Sequence, residues 1–358
     1  MIWLTWRQFR AQAVTAIAAL AAFAVLLAVT RPQLASLYDS TGFAGCHGGT
    51  CAGLALSFLS ELSNATPFGG PQGSRLLPAG TNLYVTVYTV GILFILIAPA
   101  ITGVFWGAPL IARELETGTD RLAWNQSITR TQWLAVKLAL TGAAALTVTE
   151  AFSLLQAWWA APISRAIDLG GSVSVFSGGR YSALNFATGG IAPLGYAAFG
   201  FALGVTAGLV SRRAVPAMAL TLVIFAAVQV VMPLWVRPHL LPADQTIASI
   251  DSTHATFSNL SGTPTLSANV VPGQPGAWIL SSGAVNAAGH PVAALPAPCS
   301  AFGSDLGHCL ASHGIREAVS YQPVSHYWPL QLVETGIFLA LAVALAWFCF
   351  WRLDRRLA

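Results

Sequence analysis

Six long apolar stretches constrain the fold of this 358-residue chain more than any other feature. A helix needs about 20 mainly apolar residues to cross the hydrocarbon core of a membrane. The stretches lie at residues 11–30, 84–112, 134–161, 188–210, 215–236 and 329–351. Only 8% of the residues are charged and 55% are hydrophobic, a balance that excludes an ordinary soluble domain. The sequence therefore predicts an all-α integral membrane protein with six transmembrane helices and sizeable external loops.

The first apolar stretch has one alternative interpretation, a cleaved signal sequence, because Arg7 and Arg10 stand before it. Its apolar core at residues 13–29 exceeds the about 7–15 residues that are usual for a signal sequence. This length favours a retained span. With six spans, both chain ends lie on the same side of the membrane.

The distribution of Lys and Arg predicts the orientation, since positive charge resists translocation across the membrane. With the N-terminus in the cytoplasm, eleven of the 17 basic side chains lie on the cytoplasmic side and six on the other. The eleven are concentrated in short segments, whereas the six are spread over long ones. The sequence therefore predicts a multi-pass protein of the cell membrane with cytoplasmic N- and C-termini.

The predicted external segments are residues 31–83 and 237–328, with a shorter one at 162–187. The largest is rich in small and polar residues, and its run Ala277 to Leu280 is typical of a strand beside a turn. We expect 237–328 to form a small cap over the membrane part, and 329–358 to form the sixth helix and a basic cytoplasmic tail. The alternative is a solvated, disordered loop, which the Trp, Phe and Leu content disfavours.

Four of the five cysteines lie in the predicted external segments, where an oxidising environment permits disulfides. Their spacing predicts the pairs Cys46–Cys51 and Cys299–Cys309, although cross-pairing between the two segments stays open. Neighbouring histidines raise the possibility of a metal site. No two histidines are three or four residues apart and no paired CxxC spacing occurs, so we expect no metal site.

No catalytic motif is present. The chain lacks GxxxxGK[ST], HExxH and GxSxG, and its one lysine is Lys137. It therefore has no ATPase motif of its own, and we expect neither a bound cofactor nor enzymatic activity. An intramembrane enzyme would need a catalytic constellation within the spans, and the sequence offers none.

A few polar side chains do fall within the predicted spans, where a central acidic group costs about 2.5–3.5 kcal/mol. Such residues line a polar pathway or form hydrogen bonds with a neighbouring helix, and the sequence leaves both alternatives open. The candidates are Glu150, Gln156, Gln229, Gln331 and Glu334.

Small and kink-forming residues suggest how the spans pack. Gly200, Gly204 and Gly208 repeat at a four-residue spacing, which places them on one face of the fourth span and lets another backbone approach closely. This face is used either for packing within the bundle or for a dimer interface. Three prolines are expected to kink their spans: Pro99, Pro193 and Pro233.

The first ten residues have the pattern of an interfacial helix. Ile2, Trp6 and Phe9 would share one helix face, while Arg7 and Arg10 would reach lipid headgroups. The alternative is simple aromatic anchoring at the start of the first span. We expect residues 1–10 to form a separate interfacial helix, followed by the first five spans at 11–236.

An unusually polar stretch lies between the second and third spans. Residues 113–137 hold seven of the 30 charged side chains, with both signs present. The stretch contains helix-capable runs, a break at residues 127–129 and a capping residue, Thr129 or Thr131, before the next helix. Mixed charge with a Trp on a short helix favours docking onto another protein, and the alternative is a merely solvated loop.

Here the residues resemble a known family. The sequences RELETGT at 113–119, RLAW at 121–124 and SITR at 127–130 resemble the cytoplasmic loop after the second span of exporter-type ABC permeases, the ABC type 2 transporters. The sequence WLTWRQFR at 3–10 resembles the elbow helix of that family. A ratio of 16 Arg to one Lys, with much Ala, resembles its actinobacterial members.

The resemblance implies a permease subunit that moves a hydrophobic or amphipathic substrate out of the cell. Two six-span subunits, a second copy or a paralogue, would form the pathway among membrane lipids, and separate ATP-binding subunits would use ATP and Mg²⁺ to drive it. No nucleic acid is expected. The cytoplasmic coupling loop at 113–133 would contact the ATPase through Arg113, Glu114, Glu116, Gly118, Thr119, Asp120, Arg121 and Trp124.

One alternative from another class stays open. The chain could be a non-transporting membrane sensor or scaffold that presents its external segments. The first external segment departs from the family, because it is longer than the family requires and contains two cysteines, in CHGGTC at 46–51.

Overall fold

A computed structural model describes most of the chain. The described residues are 2–46, 51–64, 82–118, 129–169, 179–248, 255–260, 263–268, 271, 274–292, 299 and 306–355. Six helical segments within them are long and apolar enough to cross a membrane, which confirms the predicted all-α integral membrane fold. These segments are Phe9–Ser40, Leu83–Thr117, Thr131–Asp168, Ala192–Ser211, Ala214–His239 and Val324–Arg355.

The described helices are α1 (Ile2–Ser40), α2 (Cys51–Asn64), α3 (Leu83–Ile101), α4 (Ala108–Thr117), α5 (Arg130–Asp168), α6 (Ala183–Thr188), α7 (Ala192–Ser211), α8 (Ala214–Val231), α9 (Leu306–Ser312) and α10 (Tyr327–Arg355). The described strands are β1 (Asp244–Ala248), β2 (Ala255–Leu260), β3 (Thr263–Ala268), β4 (Trp278–Val285) and β5 (Arg316–Gln322). We call the end of the bundle that carries the strands the cap end. The opposite end carries both termini and is called the terminal end.

Local side chains begin two of the spans. The Asn82 side chain accepts hydrogen bonds from the backbone N–H groups of Tyr84 and Val85, at 2.9 and 3.3 Å. Thr129 Oγ1 accepts one from the backbone of Gln132 at 3.3 Å. Each side chain satisfies an N–H group that the first helical turn leaves without a partner. Thr129 is therefore the cap of α5, as one of the two sequence alternatives predicted.

The first helix differs from its prediction. α1 continues from Ile2 to Ser40 without a break, so residues 2–10 are its first turns and not a separate interfacial helix. The physical reason is composition: no Gly or Pro occurs between Ile2 and Arg31, and the stretch is rich in Ala and Leu, which favour helix. The same helix also extends ten residues into the expected external segment.

Two of the three prolines expected to cause kinks lie beside irregular turns. A π-helical segment, Thr102–Gly107, follows Pro99, and a second one, Met232–Val236, contains Pro233. Proline removes a backbone donor and so favours such a local change of hydrogen-bond spacing. The kink predicted at Pro193 is wrong, because this residue lies in the first turn of α7, where no N–H group is needed.

The segment before the last span contains the β structure that its sequence pattern indicated. Strands β1, β5 and β4 form an antiparallel sheet in that order, and β2 pairs with β3 in a separate hairpin. β4 begins at Trp278, within the run that predicted a strand. Val319 at the centre of the sheet is buried, and Leu310 and Ile315 form a small core with the disulfide at Cys299.

Helix α7 lies at the centre of the bundle. It contacts α3, α4, α5, α8 and α10, and its side chains are buried from Ala192 to Leu209 with few exceptions. A span that is surrounded by other helices needs an apolar surface all round, and α7 has one. A neighbouring helix that moves therefore changes its contacts with α7.

Candidate functional site

The glycines of α7 bring it against α3 and α4. A Cβ atom added at Gly200 would lie 2.6 Å from the carbonyl oxygen of Pro99, and one at Gly204 would lie 2.9 Å from the backbone nitrogen of Ala108. Real Cβ atoms do not approach other atoms this closely, so both positions require glycine. Gly208 faces the same backbone, with the added Cβ 2.5 Å from the oxygen of Ala108. The sequence left open whether this glycine face is used for packing within the bundle or for a dimer interface. In the structure it packs within the chain.

At the terminal end, an ion pair joins α4 to α5. Lys137 donates a hydrogen bond to Glu114, and the two side chains are only 4% and 15% exposed. The Lys137 ammonium also lies 4.8 Å from the centre of the Trp133 ring. Separating such a buried pair leaves an uncompensated charge and costs about 3–5 kcal/mol. The two helices are therefore held together at this end.

A second acidic residue joins α4 to α8. The Glu116 carboxylate accepts a hydrogen bond from the backbone N–H of Ala214, the first residue of α8, at 3.3 Å. An acidic group at a helix N-terminus is favourable, because the free N–H groups there carry partial positive charge. Glu114 and Glu116 thus both have partners inside the chain, although the sequence analysis expected them as contacts to an ATPase.

The other predicted coupling residues divide into two groups. Arg113 is exposed on α4, and Gly118 ends this helix in the left-handed conformation with φ of 70°. Glycine adopts this conformation without strain, which explains where α4 stops. Four predicted coupling residues lie outside the described residues: Thr119, Asp120, Arg121 and Trp124.

At the cap end, a buried ion pair joins three of the spans. Arg237 Nε and Nη2 donate to the two oxygens of Glu334, at 2.8 and 3.0 Å, and the side chains are 1% and 0% exposed. The Tyr196 hydroxyl donates to the same carboxylate and accepts from Arg237 Nη2 at 3.3 Å. The guanidinium also lies 4.0 Å from the ring centre of Phe186. This cluster connects α7, α10 and the end of the fifth span.

The position of Arg237 corrects the sequence analysis, which assigned it to the external segment. Arg237 follows an apolar run, where a basic residue normally marks the start of a loop. Its partner is 97 residues away in the chain. One sequence signal could have predicted this pair: Arg237 and Glu334 are oppositely charged and fall near the same end of two spans.

Gln331, one turn before Glu334, holds the start of α7. Its Oε1 accepts a hydrogen bond from the backbone of Ala192 at 2.9 Å, and its Nε2 donates to the carbonyl oxygen of Phe186 at 3.0 Å. Gln331 is completely buried. The sequence left open whether these side chains line a polar pathway or form hydrogen bonds with a neighbouring helix. In the structure, Gln331 and Glu334 form hydrogen bonds with neighbouring elements.

The remaining intramembrane candidates lie on other spans than Glu334. Glu150 and Gln156 lie on α5, and Gln229 lies on α8. Among the described residues, Glu150 Oε2, Gln156 Oε1 and Gln229 Nε2 are buried atoms without a hydrogen-bond partner. Buried polar groups of this kind are normally satisfied by water or a ligand.

Both predicted disulfides are formed. Cys46 bonds to Cys51, which ties the segment after α1 to the first residue of α2, and Cys299 bonds to Cys309. His313 Nδ1 lies 3.8 Å from the sulfur of Cys299. Zinc binds thiolates, and both sulfurs here are already bonded to each other, so this group is not a metal centre in its disulfide form.

Six apolar spans with α7 at their centre, with paired acidic residues at one end and a strand-containing segment at the other, define a multi-pass membrane protein. The family model for "ABC-2 membrane transporter related" proteins matches residues 17–237, more than half of the chain. The chain belongs to this family, as the resemblance of its polar stretch predicted. Neither the comparison with curated proteins nor that with solved structures finds a match. Membership implies association with an ABC ATP-binding subunit.

Proposed function

We propose that this chain is the permease subunit of an ATP-driven ABC exporter, which moves a hydrophobic or amphipathic substrate out of the cell. The observation that carries the proposal is the double attachment of α4. Glu114 bonds to Lys137 of α5, and Glu116 bonds to Ala214 of α8. Helix α4 is thus placed to pass a force from its exposed end to two spans at once.

In this mechanism a separate ATP-binding subunit docks at the terminal end, on Arg113 and on the segment that follows Gly118. The partner binds and hydrolyses ATP with Mg²⁺, and its closure displaces the end of α4. Because the Glu114–Lys137 pair is buried, α5 follows α4 rather than separating from it. In this proposal the residues predicted as direct contacts act instead as an internal linkage.

In this proposal the π-helical segment Thr102–Gly107 is the hinge about which α4 moves. It joins α3 to α4 within one span, and such segments often occur at functional positions. Gly103 and Gly107 lie in it, facing the glycine side of α7. In this proposal α4 shifts along the glycine face of α7 while α3 stays in place.

At the cap end, the Arg237–Glu334–Tyr196 cluster would hold the spans together until the terminal end moves. A second copy of the chain, or a paralogue, would complete the pathway among the membrane lipids. The orientation that fits this proposal has both termini in the cytoplasm and the disulfides outside, in accord with the distribution of positive charge.

A second function is favoured by one observation. The sheet of β1, β5 and β4 and the Cys299–Cys309 disulfide form a structured segment outside the spans. Such a segment suits a sensor or scaffold that presents a rigid surface without transport. A signalling protein, rather than an ATPase, would then dock at the terminal end.

The test is co-purification from native membranes in a mild detergent, with partners identified by mass spectrometry. We expect an ATP-binding protein to be recovered with the unaltered chain. The ATP hydrolysis of the recovered complex should be lost in Glu114→Gln. The exchanged pair Glu114→Lys with Lys137→Glu should restore part of it, because the linkage is rebuilt. Arg316→Gln, an exposed change in β5, serves as the matched control.

Failure to recover any ATP-binding protein from a folded chain would overturn the proposal. Recovery of a kinase or regulator instead would support the sensor. If Glu114→Gln left activity unchanged while the partner stayed bound, the internal linkage would be wrong even though the permease assignment held.

A further inference from the structure

A cavity of about 190 Å³ lies at the cap end of the bundle, away from the α4 linkage. One wall is a face of α5 that runs from Gln156 past Ala160 to Asp168 at the end of the helix. Ile92 of α3 and residues 188–190 at the end of α6 form other walls. The cavity therefore passes from the side-chain amide of a buried glutamine to a charged mouth.

The mouth is formed by an ion pair. Arg180 Nε donates to Asp168 Oδ1 at 2.9 Å, and Nη2 donates to the second oxygen. The side chains remain 31% and 24% exposed, so a ligand can reach both. An arginine carries five N–H donors and a carboxylate about four acceptor positions. Each group thus retains bonding capacity after their mutual contacts are counted.

The charges around this mouth select for a ligand with no net charge. Asp168 and Arg180 neutralise each other, and a buried ligand of net charge would stay uncompensated. The carboxylate lies on the last residue of the long helix α5, whose C-terminus carries partial negative charge. An ammonium group is therefore favoured beside Asp168, and an acid group beside Arg180.

Part of the cavity surface is apolar, with contributions from Ile92, Ala160 and Ile167. This surface suits an apolar side chain of a ligand. At the other end of this face, Gln156 Oε1 is a buried acceptor without a partner among the described residues. Such an acceptor is satisfied by a water molecule or by a donor on the ligand.

We propose that this cavity binds a small amphipathic zwitterion of the amino-acid type. Its ammonium group pairs with Asp168, its carboxylate pairs with Arg180, and its side chain lies along the apolar wall of α5. The cap borders the same mouth: a Cβ added at Gly276, just before β4, would lie 2.9 Å from the backbone oxygen of Asp168. Trp278 of β4 stacks on Tyr181, next to Arg180, with ring centres 5.8 Å apart. Ligand binding in the cavity is therefore expected to change the contacts of the cap at Gly276 and Trp278.

The test is titration calorimetry on the purified chain in a non-ionic detergent, without any ATP-binding subunit. The probes are leucine, its anionic analogue N-acetylleucine and its cationic analogue leucine amide. We expect saturable binding of leucine, with both analogues weaker by about 10- to 100-fold, since each loses one charge-assisted contact. Because the partner subunit is absent, failure here would not affect the proposed permease function.

Two variants separate the two charges. Asp168→Asn should weaken leucine and leucine amide but not N-acetylleucine, and Arg180→Gln should show the reverse preference. The exchanged pair Asp168→Arg with Arg180→Asp keeps the ion pair and covers the case in which single variants do not fold. It should bind leucine more weakly, because the ammonium site has moved away from the end of α5. Arg316→Gln should bind like the unaltered chain.

The proposal would be overturned by the absence of saturable leucine binding to a folded chain. It would also be overturned by equal affinities for the three probes, or by variants that do not change the preference among them. The last two results would indicate a site without charge selection, or one located elsewhere.

Discussion

Removal of one charge from the buried Arg237–Glu334 pair is the change whose effect the structure defines best. In Glu334→Gln the guanidinium stays charged in a site where both side chains are at most 1% exposed. Arg237 Nη1 has no hydrogen-bond partner among the described residues, and the Tyr196 hydroxyl and Phe186 ring that also contact the guanidinium carry no negative charge to replace the carboxylate. Breaking a buried pair by removing one partner costs about 3–5 kcal/mol. We expect the free energy of unfolding to fall by this amount.

The assay is reversible unfolding in mixed micelles of a mild detergent and SDS, followed by tryptophan fluorescence. The matched control removes both charges: Arg237→Met with Glu334→Leu should be close to neutral or even stabilising, as for other buried pairs that are replaced by apolar groups. A second control, Tyr196→Phe, removes the hydroxyl that bonds to both Glu334 and Arg237 and should cost about 1.5–3 kcal/mol. A loss below about 1 kcal/mol in Glu334→Gln would contradict the burial of this charge, because solvent or lipid headgroups would then be screening the pair.

Three further predictions concern other parts of the chain. Gly204→Ala should lower the free energy of unfolding by about 1–3 kcal/mol through overpacking, whereas Gly336→Ala, where nothing lies within 4 Å, should not; equal effects in the same unfolding assay would contradict this. Reduction of Cys46–Cys51, or its replacement by two serines, should cost about 2 kcal/mol for so short a loop, and a thiol titration alongside the unfolding curve checks it. Burial raises the pKa of Glu317 above its ordinary value. The folded chain therefore keeps this proton at a pH where the unfolded chain has lost it, so stability is highest below the unfolded pKa and falls as pH rises through the folded one. Glu317→Gln should stabilise the chain increasingly from pH 4 to pH 7, and a constant difference would contradict the burial argument.

The proposed function rests on the linkage at α4. In that proposal, events at the terminal end reach the spans through α4, and Glu114 and Glu116 supply its bonds to two of them. Their sequence context suggested surface contacts to a partner. Their observed bonds join them to other spans, and Arg113, Glu116 and Gly118 are the exposed residues among the described members of the predicted set.

Much of the fold follows from the sequence alone, because it depends on short-range chemistry. Apolar length predicts the six spans, and a capping threonine, Thr129 or Thr131, predicts where α5 begins to within two residues. The two disulfides join cysteines only 5 and 10 residues apart, so their pairing is a local matter. The break expected after residue 10 did not occur, since no helix-breaking residue stands there.

Which side chains meet is visible only in the packed bundle. Arg237 and Glu334 are 97 residues apart, and Gly200 meets the backbone at Pro99. The cavity likewise needs walls from α3, α5 and α6 to exist at all. Hydrophobic length specifies that a segment crosses the membrane, but lipid-facing and buried faces are almost equally apolar. The neighbours of each helix are therefore set by steric fit and by the few buried polar pairs, which become visible only when the helices are packed.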